Sequence, residues 1–390
     1  MTIARNAPID LLRGVAIGLV LLLHYSLTYR LSKSPLADWF GADAVRAVVN
    51  NGNYGVTMFF AVSGYLITSN TLRRFGSLGG VDVRAFYVTR AARILPPLLL
   101  ALAVIVALGL LGVASFGNGD AGKNFPPSFY FLAVGSVLTF THNLLMQSVG
   151  YFNYCLNIYW SLSVEEVFYL AFPVLCVLAR RRWLIVAMCL CAIALGPIYR
   201  HVHADDELYF MYGYAACFDA IAFGCLAALL AESLKPAPGA ARRVSVVAAL
   251  ALAAAYLAGI RHHEAFGFSA VAASSAVLVW CASASTGRGW ADARGFAPLR
   301  WAGRHSYELY LFHIIVLGAM RELVPRAQMA IDWKLPGLAL FVALSACVAG
   351  LVARYFSEPI NAALRARFDK ARAPTRDVRP VSTASADPAG

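Results

Sequence analysis

Apolar stretches alternate with short polar ones along almost the whole chain. Runs of spanning length cover approximately residues 9 to 29, 54 to 72, 96 to 114, 159 to 179, 183 to 199, 208 to 231, 244 to 260, 266 to 284, 305 to 323 and 336 to 356. Each can cross, as a helix, the roughly 30 Å of hydrocarbon in a bilayer. The pattern predicts an all-α, polytopic membrane helix bundle of about ten transmembrane helices. An eleventh stretch, 129 to 147, is broken up by Gly135, Ser136, Thr139, Thr141, His142, Asn143 and Gln147. It reads as a re-entrant or interfacial segment.

Charge decides that last point and orients the rest. With 129 to 147 not crossing and both termini cytoplasmic, 23 of the 33 Lys and Arg fall in inner segments and nine in outer ones. This is the positive-inside pattern. Letting the eleventh stretch cross would push an arginine cluster outside. The expected location is the inner (plasma) membrane, and the net charge of +12 is read as topology and contact with anionic lipid, not as a nucleic-acid surface.

Composition agrees: of 390 residues 60% are hydrophobic and 14% charged, far from an ordinary soluble domain. The expected division is a membrane domain over residues 1 to 360 and a basic, disordered cytoplasmic tail over 361 to 390. The first apolar run has spanning length and lacks an obvious cleavage site, so it is expected to stay as a helix. Seven of the eight cysteines lie in predicted spans and Cys155 in an outer loop, which gives no disulfide or zinc spacing. His201, His203, His262 and His263 lack a third ligand at diagnostic spacing, so no metal is expected.

Ionisable groups inside spans are costly and mark functional sites by default. Arg13 and His24 are eleven residues apart in the first run, hence on one helix face and about 16 Å apart along its axis. The fourth run carries Trp160-Ser-Leu-Ser163-Val-Glu165-Glu166. On the assigned topology both glutamates sit about 10 to 12 Å below the outer surface, near the expected depth of His24. A neutral imidazole beside a carboxylate can take a proton from a hydroxyl. His24 is therefore the candidate base and Glu165 or Glu166 its candidate partner, spacing leaving open which. Ser63, Gly64 and Tyr65 place a small, hydroxyl-bearing site mid-span that reads either as helix packing or as close approach of a substrate chain; Ser306, Tyr310 and His313 place further polar groups in a span, where cavity lining and packing weigh equally.

The first inner loop is basic. Asp82 is a plausible N-cap for a short helix carrying Arg84, Arg90 and Arg93, which Pro96 and Pro97 would end or restart. Such arginines anchor a surface helix to lipid phosphates or clamp the phosphates of a cytosolic ligand.

Taken together, Asp10-Leu-Leu-Arg13 through His24, Phe59 to Leu66, Arg90-Ala-Ala-Arg93 with Ile94 to Pro96, Trp160 to Glu166 with Phe168-Tyr169-Leu170, Ser306 to His313, and Ser357-Glu358-Pro359 resemble the acyltransferase type 3 family in order and extent. That resemblance implies O-acyl transfer, commonly of acetyl, from cytosolic acyl-CoA as co-substrate to a hydroxyl of a cell-envelope polysaccharide or related glycan, with no tightly bound cofactor. It implies that His24 acts on the acceptor hydroxyl with Glu165 and Glu166 nearby, that Arg13, Arg90 and Arg93 hold the donor, and that Ser63, Tyr65, Trp160, Ser163, Tyr310 and His313 line the substrate path. The family commonly has Gln where this chain has Val167, which removes an amide contact. Two other readings remain: a proton-coupled secondary transporter using His24 and the glutamates as a relay, and an acyltransferase for a small metabolite or lipid-linked sugar.

Overall fold

A computed structural model describes residues 6–120, 122–284 and 289–372. Every one of the ten apolar stretches is represented by a helix: α1 (Ala7–Tyr29), α2 (Asn53–Phe75), α3 (Val83–Leu110), α4 (Trp160–Ala179), α5 (Arg182–Val202), α6 (Tyr214–Ser233), α7 (Pro238–Ala258), α8 (Gly267–Ala282), α9 (Ser306–Leu323) and α10 (Lys334–Val352). Among the described residues, seven helical segments, containing α1, α3, α4, α5, α6, α7 and α10, are long and apolar enough to cross a membrane. The shorter α8 and the more polar α2 and α9 pack within the same bundle. The chain is an all-α, multi-pass membrane protein.

Local chemistry sets the helix ends. The Asn6 side chain accepts the amide of Ile9 at 3.3 Å and Pro8 occupies the first turn, so α1 starts there; both are favoured where amides lack partners within the helix. The Asp82 side chain accepts the amide of Ala85 at 2.9 Å, as the sequence leads one to expect. The expected break at Pro96 and Pro97 does not occur, because α3 runs unbroken through both. Pro96 and Pro97 leave the carbonyls of Ala92 and Arg93 without their helical donors, a loss that a bundle tolerates; the Tyr307 hydroxyl donates to the next carbonyl, that of Ile94, at 3.1 Å. Arg90 and Arg93 therefore ride up into the bundle on one long helix instead of lying on a surface helix.

Small residues let the central helices approach closely. A Cβ on Gly64 of α2 would lie 2.0 Å from the carbonyl oxygen of Ile221, and one on Gly224 of α6 would lie 1.9 Å from that of Ala61. The α2–α6 crossing is thus a reciprocal glycine contact, the means by which helices associate where lipid is as apolar as side chains. The Ala297–Arg304 helix is seated against the start of α1 in the same way, Gly303 beneath the carbonyl of Asp10 and Gly14 beneath that of Leu299.

The interrupted stretch forms two short helices, Phe129–Leu138 and His142–Val149, joined at Phe140, whose φ is 59°. Ten residues of helix make only about 15 Å, so neither crosses alone. At the other end, α10 passes through a π-helical turn, Ala353–Ser357, into α11 (Glu358–Arg372), which packs against α3. This corrects the expected tail: residues 361 to 372 are helical, held by Arg365 Nη2 donating to the Thr89 carbonyl at 3.2 Å and by Arg84 over the Phe368 ring. The remainder, 373 to 390, lies outside the described residues.

Candidate active site

Two cavities lie one above the other along α1. The smaller, of about 170 Å³, is lined by Arg13 of α1, Ser63 of α2, Arg90 and Arg93 of α3, and Glu165 and Glu166 of α4. The larger, of about 780 Å³, is lined by His24, Trp160, Tyr151, Tyr154, Tyr212 and several polar groups of the loops. Val56 and Tyr310 line both. Tyr310 donates to the Ile158 carbonyl at 2.8 Å, and its oxygen is 2.6 Å from Ser161 Oγ.

The expected pairing of His24 with a glutamate is not what the helices build. Arg90 Nη2 is 3.2 Å from Glu166 Oε1 and 3.6 Å from Glu165 Oε1, and its guanidinium covers the Tyr169 ring. Ser63 and Tyr169 both bond to Glu165. The reason is the unbroken α3. Arg90 stands seven residues, about 10 Å, into that helix, level with the carboxylates, and a buried carboxylate with a second one beside it requires a cation more than an imidazole does. The glutamates consequently belong to the Arg13 end of the path, where Arg13 Nη2 donates to Ser306 Oγ at 2.7 Å.

His24 has a different partner. Its Nδ1 is 2.9 Å from the Val20 carbonyl oxygen and 3.3 Å from His313 Nε2. His313 is wholly buried, with Nδ1 2.8 Å from the carbonyl of Tyr310 and 3.0 Å from that of Leu309. Carbonyls only accept, so both Nδ1 atoms carry the hydrogen. His313 Nε2 then offers its lone pair to His24 Nδ1–H. His24 Nε2 is left as an unprotonated lone pair on a side chain lining the larger cavity. That is the state required of a general base.

Of the remaining expected path residues, Trp160 lines the larger cavity, its ring 4.5 Å from that of Tyr212. Tyr65 and Ser163 are corrections. Tyr65 faces a separate apolar cluster with Ile9 and Val62, because Gly64 turns the α2 face beside it onto α6. Ser163 is fully buried and accepts the amide of His142 at 3.1 Å, pinning the short His142–Val149 helix to α4. His313 touches His24 and lines neither cavity. His203 lies between the rings of Tyr199 and Tyr209.

Sequence reasoning passed over one buried pair, Arg200 of α5 with Asp219 of α6. Both are essentially unexposed, and Arg200 Nη2 is 2.7 Å from Asp219 Oδ2. An aspartate at the middle of a predicted span was the available signal.

The Arg90 cluster makes a testable statement about stability. Arg90→Ala leaves the buried Glu166 carboxylate and the part-buried Glu165 carboxylate without their cation, so unfolding in detergent is expected at lower denaturant, by about 3 kcal/mol. Adding Glu166→Gln to that variant should recover part of the loss. No loss on removing Arg90 would mean that water, not the guanidinium, neutralises the pair.

The bundle defines a multi-pass membrane protein in which polar groups of several helices line two cavities beside α1. A family model described as an acyltransferase domain matches residues 6–355. The chain belongs to this family, the type 3 acyltransferases. It is 26% identical over 358 residues to the peptidoglycan O-acetyltransferase OatA of Listeria monocytogenes, covering 84% of this chain and 56% of that protein. It is 27% identical over 296 residues to the putative peptidoglycan O-acetyltransferase YrhL of Bacillus subtilis, covering 69% and 44%. A putative O-acetyltransferase of Staphylococcus aureus is 30% identical over 145 residues, 33% of this chain and 21% of the relative. The chain thus spans about half the length of the first two relatives. No solved structure matches it significantly.

Proposed function

We propose that the chain is an O-acyltransferase of the inner membrane, both termini cytoplasmic, that moves an acetyl group from cytosolic acyl-CoA to a hydroxyl of a cell-envelope glycan. The observation that carries the reading is His24, which lines the larger cavity while its Nδ1 is held by the Val20 carbonyl and His313 Nε2, an arrangement that leaves Nε2 as the basic nitrogen. The family membership and the printed names of the relatives support acyl transfer and a glycan acceptor. The arginine-rich smaller cavity supports a donor that carries negative charge.

In this reaction an acceptor hydroxyl in the larger cavity attacks the thioester carbonyl while His24 Nε2 takes its proton. The new C–O bond forms, the tetrahedral intermediate collapses with loss of the C–S bond, and the departing thiolate takes the proton back from the imidazolium. No covalent enzyme intermediate is required. His313 holds the ring of His24 and accepts from it, so it is a positioning residue.

The test uses the purified full chain, acetyl-CoA labelled in the acetyl group, and a cell-wall glycan extract. The expected result is base-labile label on the glycan. Absence of transfer under conditions where the chain is folded, or proton-coupled solute uptake into vesicles with no acyl product, would overturn the reading.

A further inference from the structure

We infer that Arg74, Arg93 and Arg365 form an anion site at the edge of the smaller cavity that takes the diphosphate of a soluble ligand, with the C-terminal helix α11 as one of its walls. Three helices bring these guanidiniums together around one turn of α3. Arg74, at the end of α2, donates through Nη1 to Thr89 Oγ1 at 3.1 Å. Arg365, from α11, donates through Nη2 to the carbonyl of the same Thr89 at 3.2 Å. Arg93 is one helical turn beyond Thr89 on the same face and lines the cavity.

Charge argues for an occupant. Among the described residues, no carboxylate lies within ion-pair distance of any of the three, the ion pairs of this half of the molecule being those of Arg90 and Arg182. Burial pushes the Arg365 guanidinium down, and the fields of Arg93 and Arg74 push it further, against a smaller opposing pull from Asp369. Arg74 and Arg93 are exposed and Arg365 is partly buried, so the cluster is open to a soluble ligand, and like charges gathered without a counter-charge attract an anion. Arginine presents the planar fork that phosphoryl oxygens bind bidentately.

The face that α11 turns toward the bundle supplies an independent sign. Ser357 Oγ, Asn361 Oδ1 and Arg365 Nε, at four-residue intervals, are buried without a hydrogen-bond partner, and Ser357 is only 6% exposed. Buried polar atoms are nearly always satisfied, so a row of three beside an arginine cluster marks a place where a polar ligand belongs. The π-helical turn Ala353–Ser357 aims this row. Such turns recur at functional sites because they rotate the faces that follow. Helix α11 lies beyond the residues matched by the family model, 6–355. Arg365 is therefore a binding residue that the family comparison does not reach.

Identifying the diphosphate as that of the acyl donor rests on the function proposed above; the anion site does not. Inorganic pyrophosphate is the probe, titrated against the purified full chain in neutral detergent and followed by thermal unfolding. Stabilisation of the wild type is expected, with the apparent affinity falling about tenfold or more in Arg365→Gln and partly retained in Arg365→Lys. Arg367→Gln, the same charge change at an exposed position of α11, should bind as the wild type does. No stabilisation by pyrophosphate, or equal losses in Arg365→Gln and Arg367→Gln, would overturn the site. Stabilisation by phosphatidylglycerol nanodiscs but not by pyrophosphate would also overturn it, in favour of a lipid headgroup. If pyrophosphate binds through Arg365 but acetyl-CoA does not compete, the site stands and the donor proposed above is wrong.

Discussion

His24→Ala is expected to reduce kcat for acyl transfer by a factor of about 10² to 10⁴, the usual contribution of a positioned general base, while the KM for the donor stays within about twofold. The split follows from placement. His24 lines the larger cavity, whereas the arginines that would meet the donor line the smaller one. His313 gives a sharper version of the same test. Replacing it by Phe preserves an aromatic body of similar size but removes the Nε2 acceptor 3.3 Å from His24 Nδ1. His24 keeps the Val20 carbonyl as a partner at 2.9 Å, so its ring loses one of two restraints. A kcat lower by roughly ten- to a hundredfold is expected, with the rise of rate with pH displaced, since the group that faces the imidazolium has changed. A His313→Phe enzyme with unchanged kcat and pH profile would reduce His313 to packing and leave the tautomer of His24 to the α1 backbone alone.

The histidine pair also shows where sequence stops being informative. Arg13 and His24 are legible because eleven residues on a helix return to one face, a property of the chain alone. The ten helices are legible for the same kind of reason: hydrocarbon demands long apolar runs with their backbone bonds made internally. Which polar residues of different helices meet depends on how far each helix slides past its neighbour. The pairing of His24 with a glutamate rested on matching depth along two spans, with the basic segment before Pro96 read as a separate helix at the inner surface. Because α3 continues through Pro96 and Pro97, Arg90 enters the bundle and takes both carboxylates, and His24 turns to His313. One misplaced helix start therefore reassigned the partners of three residues. Tyr65 and Ser163 follow the same rule, since their polar groups are legible but the neighbours that absorb them are not.

A large structural effect is expected at Arg200 and Asp219. Arg200 donates from Nε to the Ala265 carbonyl at 2.9 Å, from Nη1 to the Ala216 carbonyl and to Asp219 Oδ1, and from Nη2 to Asp219 Oδ2 and to Ser269 Oγ at 2.6 Å. Ser269 in turn donates to Asp219 Oδ2 at 2.6 Å. The guanidinium thereby ties α5 to α6 and α8, and Gly196 leaves the space that Asp219 fills, since a Cβ there would lie 2.7 Å from the carboxyl carbon. Arg200→Met removes the cation and strands a buried carboxylate, so unfolding is expected to become easier by about 3–5 kcal/mol. Asp219→Leu alone should cost a similar amount by stranding the guanidinium. Combining the two substitutions should cost much less than either single change, because leucine has nearly the shape of aspartate and methionine can fill an irregular space. Chemical denaturation of the four proteins in one detergent measures the coupling. Additive losses would show that the pair does not act as a unit and that the α5–α6–α8 junction is held by its apolar contacts. If instead the double variant keeps acyl transfer as well as stability, the charges at this junction serve the fold only.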